Sequence, residues 1–283
     1  MIKNFGVPVL VLFSLVTLTC CATLSENRIS APVPYVTTPP NAVTAMLKLA
    51  DVTSDDTVYD LGSGDGRIVI AAARDFGARA VGVEIDPALI QQSERNAETA
   101  GVTTRVSFLQ KDLFQADVSE ATVVTLFLLP GVNTMLAPKF LKELRPGTRI
   151  VSYLHDMGEW QPDKTARADG SPVYLWIVPA EMSGAWTLEI PTAQALSPQS
   201  LFFKQAFQKL SGSVKLPDKR LDLREPRIDG DKLYFAVSGT VEGKPVLMTF
   251  SGRVQGGRAS GDVVVNGGTF SGTHQWTAQR SVR

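Results

Sequence analysis

Apolar and polar positions divide this chain into two patterns. Between residues 57 and about 178, short β-type runs alternate with stretches of helical spacing. Runs at 57–61, 81–86, 106–112, 121–129 and 148–153 read as strands, and 121–129 is almost wholly apolar, as a central strand buried on both faces should be. Helical spacing falls at 41–50, 68–74, 88–100 and 133–144, with Gly101 standing where a C′ glycine closes a helix. This alternation predicts a doubly wound α/β sheet with its ligand at the C-terminal ends of the strands.

After about Pro179 the helical spacing stops. Residues 198–207, 232–241 and 246–254 alternate apolar with polar, and breaks fall at Asp229-Gly230-Asp231, Glu242-Gly243-Lys244, Gly256-Gly257 and Gly267-Gly268. Short alternating runs between glycine turns predict a small antiparallel all-β domain, a barrel or a sandwich, over 183–283. Trp186 and Trp276 stand near its first and last strands, and the segment is expected to fold alone. It contains no catalytic constellation.

A length of 283 residues suits two domains, here 41–179 and 183–283. Residues 23–40 form a proline-rich connector with restricted backbone. Residues 1–22 hold one early cation, Lys3, then an uncharged apolar run and small residues. That pattern predicts a signal peptide or membrane anchor, hence an exported or membrane-associated protein of the cell envelope. The 28 basic and 28 acidic residues cancel, so nothing in the totals suggests a nucleic-acid binder. Cys20 and Cys21 are adjacent in the apolar leader and the histidines are two, which leaves no material for a disulfide framework or a zinc cluster; no metal is expected.

The chemistry concentrates in Val58-Tyr59-Asp60-Leu61-Gly62-Ser63-Gly64-Asp65-Gly66-Arg67, a strand opening through three glycines into a helix. Glycine there lets the backbone approach a ligand, and the first amides of the helix face it. Such turns also serve dinucleotides. Glu84, about 20 residues on at the end of the second strand, is placed for ribose hydroxyls. Asp112, at the end of the third, is placed for an adenine amino group. Asp60 would repel a pyrophosphate but attract a sulfonium and an amino group. Together the three acids resemble the class I S-adenosylmethionine (SAM)-dependent methyltransferases.

Further segments narrow the resemblance: Pro34-Tyr35-Val36-Thr37-Thr38-Pro39 before the first helix, Asp112-Leu113-Phe114, Leu128-Leu129-Pro130, and Leu144-Arg145-Pro146-Gly147 before the fifth strand. Over about residues 34–162 the chain is similar to the membrane-linked protein-lysine methyltransferases of the ATP synthase subunit c and adenine nucleotide translocase type, with their bacterial relatives. The resemblance implies a Rossmann-like seven-stranded methyltransferase sheet. It implies SAM as cofactor, with Tyr35 and Thr37 closing its pocket and Gly62 and Gly64 against it, and a lysine side chain of a protein as acceptor. Leu128-Leu129-Pro130 replaces the Asn-Pro-Pro-Tyr motif of adenine and glutamine methyltransferases, which argues against those acceptors. His155, Asp156 and Trp160 follow the fifth strand, where an acidic and aromatic wall would hold and desolvate an amine. Two readings stay open beside the lysine enzyme: a small-molecule methyltransferase, and an exported binding or envelope protein with a non-catalytic methyltransferase fold.

Overall fold

The computed structural model describes residues 36–191, 199–215, 220–241 and 243–281. The leader at 1–22 and Tyr35 lie outside the described residues.

The first half contains α1 (Pro40–Leu49), β1 (Thr57–Leu61), α2 (Arg67–Phe76), β2 (Arg79–Glu84), α3 (Pro87–Thr99), β3 (Val106–Gln110), β4 (Val123–Leu126), α4 (Pro130–Glu143), β5 (Arg149–Tyr153), β6 (Lys164–Ala168) and β7 (Ser171–Ile177). They build a seven-stranded sheet in the order β3-β2-β1-β4-β5-β7-β6. β1 to β5 pair in parallel, and β7 runs antiparallel between β5 and β6. Proline at the first position starts α1, α3 and α4, where its missing N–H costs no helical bond. α4 therefore begins at Pro130, three residues before the apolar spacing becomes visible. Gly101, at φ +69°, follows α3.

The two faces of this sheet are covered differently. α1 and α2 pack their apolar sides on Val58, Ala80, Val123, Val151 and Val173, and α3 packs beside α2 through Ala97. On the other face α4, the one helix there among the described residues, covers Leu61, Val83, Val124, Leu126 and Ile150 with Val132, Leu136, Ala137 and Phe140. Trp160, Trp176 and, from the second half, Phe207 complete that cluster.

The second half contains β8 (Gly184–Glu189), β9 (Gln199–Ala206), β10 (Lys209–Lys215), β11 (Arg220–Asp222), β12 (Arg224–Asp229), β13 (Lys232–Val241), β14 (Lys244–Gln255), β15 (Arg258–Asn266) and β16 (Gly272–Arg280). Neighbours pair antiparallel in the order β11-β10-β12-β13-β14-β15-β16-β8-β9, and β9 pairs back onto β10, so the sheet closes on itself. Closure removes the exposed edges. The first strand, β8, pairs with the last, β16. Inside, Phe235 stacks on Phe250 at 4.4 Å, and the edges of Phe203 and Trp276 meet Phe235 at 5.9 and 6.1 Å. The interior is thus filled by side chains. Gly252 and Gly261 oppose one another across β14 and β15. A Cβ on Gly252 would stand 2.6 Å from the Trp276 ring and run into the Ser260 carbonyl, so this pair lets the sheet bend tightly over the indole.

The two sheets pack against one another within one compact unit, Val36–Arg283. Ala180 N donates to Gly230 O at 2.8 Å, and a Cβ on Gly230 would lie 2.9 Å from Gly147 Cα.

Candidate active site

Sheet register assembles the first part of the site. Asp60, one residue before the end of β1, lies beside Gly82 of β2 and Thr125 of β4. Thr125 Oγ1 donates to Asp60 Oδ1 at 2.6 Å. Asp60 is buried, and that burial, with Glu84 and Asp65 nearby, pushes its carboxyl up to about 7 against the opposing effect of Thr125. A buried carboxylate in this state is stabilised by a cation placed next to it.

The glycine turn follows at once. Gly62, Gly64 and Gly66 have φ of +79°, +53° and +79°, a backbone that other residues rarely adopt. Gly62 N and Ser63 N both donate to Val83 O, fixing the turn on β2. Glu84 fixes it from the side: its Oε2 accepts from Gly64 N at 3.0 Å, and its Oε1 accepts from Ile85 N and Asp86 N at 2.8 and 3.0 Å. Asn96 of α3 donates to Asp65 O at 2.9 Å. Asp65 pairs with Arg67, whose Nη1 donates to Thr38 O at 2.9 Å and so ties the entry segment to the turn. A Cβ on Gly66 would come within 2.9 Å of Ser93 and the Phe108 ring, so the turn sits directly on α3 and β3. Thr37 is exposed next to this anchor. Asp86 caps α3 by accepting from Ala88 N.

The structure thus brings Asp60, Gly62, Gly64 and Glu84 together. Asp112 stands one strand farther out, half-buried, with Oδ1 accepting from Phe114 N at 2.9 Å. Ile85, 66% exposed, offers an apolar surface between Glu84 and that strand end. Sequence reasoning missed Thr125, Gly82 and Asn96. Gly82 carried the one available signal, a glycine inside a strand, which marks a close approach; a Cβ there would lie 2.6 Å from Ser63 Oγ.

Beyond the end of β5, residues 154–163 form a loop. Its first part is held through its backbone by Asn133 of α4: Nδ2 donates to the carbonyls of His155 and Asp156 at 3.1 and 3.3 Å and to Ser152 Oγ at 3.1 Å. The His155 side chain is half-buried and Asp156 is exposed, its Oδ1 accepting from Gly158 N. Trp160 is placed differently from the expectation that it walls an acceptor channel. It is fully buried, its ring stacked on Phe207 at 5.5 Å and its carbonyl accepting from Trp176 Nε1 at 2.6 Å. The loop turns back through the Met157–Trp160 bridge and delivers the indole to the sheet's second face. Trp160 is a core residue.

A glycine turn in left-handed backbone, an acid at the end of the next strand and a buried carboxylate suited to a cation fit SAM, and the strand order is that of the Rossmann-like methyltransferases. The matched family model is the ANTKMT methyltransferase domain, over residues 60–164. An archaeal protein-lysine N-methyltransferase from Saccharolobus islandicus is 50% identical over 52% of this chain and 94% of its own length. The adenine nucleotide translocase lysine N-methyltransferase of mouse is 37% identical over 46% of this chain, which spans about half (56%) of that enzyme. The solved structure of an RNA methyltransferase from Salinibacter ruber, in complex with S-adenosyl-L-homocysteine, is 56% identical over 52% of this chain and 96% of its own, with a TM-score of 0.51. The chain belongs to this methyltransferase family.

Proposed function

We propose that this protein transfers a methyl group from SAM to the side-chain amine of a protein lysine. Bound SAM supplies an activated methyl on its sulfonium. Glu84 would hold the ribose hydroxyls, Gly62 and Gly64 the backbone of the cofactor, Asp60 its cationic end, and Asp112 the base beside Ile85. The chain's own task is to align a neutral amine and keep water away, since an in-line displacement needs little else.

One observation favours a cationic acceptor. The segments that form the C-terminal edge of the sheet carry Asp65, Glu84, Asp86, Asp112, Asp156 and Glu159 against Arg67, which is paired to Asp65, and Lys111. An acidic rim raises the local concentration of lysine side chains and repels a polyphosphate backbone. The lysine acceptors named for the archaeal and mouse relatives agree with this reading. The RNA named for the Salinibacter enzyme is the competing acceptor. Incubation with methyl-labelled SAM and either poly-L-lysine or total RNA separates them: the label should enter the polypeptide, and label entering only RNA overturns the proposal.

The leader at 1–22 would place this activity at the cell envelope. Among the described residues no helix is long and apolar enough to cross a membrane. A reporter fused to the leader is expected to be exported or membrane-bound, and a reporter left wholly soluble in the cytosol refutes that placement.

A further inference from the structure

β9 and β10 are joined by a two-residue turn, Phe207-Gln208, between the paired residues Ala206 and Lys209. Phe207 takes φ +55°. The first position of a tight hairpin turn with left-handed backbone favours glycine, asparagine or aspartate, and a large aromatic there is strained. A residue held in such a conformation is retained where its surroundings over-determine it. Here the surroundings belong to the other half of the protein. The Phe207 ring stacks on Trp160, the two planes 6° from parallel, and joins the apolar cluster under α4. The next residue continues the contact: Gln208 Nε2 donates to Gln161 O at 2.6 Å and to Asp163 Oδ1 at 3.3 Å. The other oxygen of Asp163 accepts from Ile177 N of β7 at 2.7 Å.

The hairpin tip therefore grips the far end of the 154–163 loop, whose near end Asn133 holds. This is the loop that presents His155 and Asp156 at the acceptor edge. The cofactor turn, by contrast, is held by Val83, Glu84 and Asn96, all within the methyltransferase sheet and its helices. The archaeal relative and the Salinibacter structure are matched over nearly their whole length by about half of this chain, so the other half of this chain has no counterpart in them.

We propose that Phe207 is a positioning residue for the acceptor: through Trp160 the barrel hairpin sets the 154–163 loop, so that acceptor handling depends on the barrel while cofactor binding does not. This rests on the reading of that edge as the lysine site. The test uses the full chain. Phe207→Gly removes the ring and gives the turn a residue it favours, so the barrel strands keep their pairing. Phe207→Tyr keeps the stack. Hydrogen exchange is followed in peptides over 154–163, over the cofactor turn at 60–67 and over β13 to β15, beside calorimetry with SAM and release of S-adenosyl-L-homocysteine with poly-L-lysine. Exchange at 154–163 should rise about tenfold or more in Phe207→Gly, as a locally released segment does. The cofactor turn and SAM affinity should stay within about twofold of the parent, and turnover or KM for poly-L-lysine should worsen about tenfold. Phe207→Tyr should leave loop exchange, SAM affinity and turnover at the parent's values. Unchanged exchange at 154–163 with intact β13 to β15, or SAM affinity falling in step with the acceptor effect, overturns the proposal. If Phe207→Gly also loses protection in β13 to β15, Phe207→Leu, which fills space without stacking, takes its place with the same criteria. A parent protein that ignores poly-L-lysine counts against the lysine reading, and the exchange result alone then decides the positioning role.

Discussion

Replacing Glu84 by glutamine tests the cofactor site where its geometry is most constrained. The carboxylate has three backbone donors, two on Oε1 and one on Oε2. Glutamine offers one acceptor oxygen and an NH2 group. If the oxygen stays with Ile85 and Asp86, the NH2 faces the Gly64 N–H, donor against donor. Losing one hydrogen bond to a charged group costs about 1.5–3 kcal/mol. Glu84 is half-buried, so water takes part of that load, and about 1–2 kcal/mol is the working figure. For a folded unit of roughly this size that lowers Tm by about 2–8 °C. The variant also offers the ribose a poorer acceptor on a loosened turn, so SAM affinity should fall about 10- to 100-fold, or about 1.4–2.8 kcal/mol. Differential scanning fluorimetry without cofactor reads the first number and titration calorimetry the second. A Tm within about 1 °C of the parent, together with SAM affinity within about twofold, would show that Glu84 neither holds the turn nor meets the cofactor.

Asp60 predicts a pH dependence with a defined sign. Its folded-state carboxyl is raised from 3.8 to about 7, so its contribution favours the fold below pH 3.8 and is lost as pH rises to about 7. A cation bound beside it reverses the preference, so SAM should bind more tightly as pH rises through 7 and should release a proton; calorimetry in buffers of different ionisation enthalpy reads that proton, and its absence sinks the assignment. Gly62→Ala places a side chain at φ +79° and its Cβ 2.9 Å from Leu128; backbone strain of about 1–2 kcal/mol should weaken SAM binding with little change in barrel unfolding, and normal binding would move the cofactor off this turn. Gly252→Val should prevent the bend over Trp276, with near-ultraviolet circular dichroism losing its aromatic signal from the barrel; an unchanged spectrum would mean that the pair Gly252 and Gly261 does not shape the sheet.

The cofactor half of the site was legible in the sequence because its requirements are local. Three glycines in a turn, an acid at the end of the next strand and helical spacing after the turn each leave a mark within a few residues. Thr125 leaves none: a threonine in an apolar strand says nothing of its neighbour until register sets it beside Asp60. Trp160 was misplaced for the same reason at longer range. An aromatic after a strand reads alike whether it faces a channel or the core, and the ring that decides it, Phe207, comes from another sheet. The alternation after residue 183 announced antiparallel strands but left barrel and sandwich both open, and the choice depends on β9 returning to β10. Nor does alternation reveal that one face of the first sheet carries α4 as its one helix among the described residues and needs the second half to finish its cover.

That uneven cover bears on synthesis. The chain emerges from the ribosome in order, and the contact that shelters Trp160 joins residues about as far apart as Gln161 and Gln208, 47 positions. At roughly 5–20 residues per second, the tryptophan face stays without its partner for about 2–9 seconds after it has been made. For that interval the growing chain offers an aromatic patch to whatever is near, and a chaperone that binds apolar segments has a defined place and time to act. Slowing translation between the two segments should lengthen the exposure and lower the yield of folded protein.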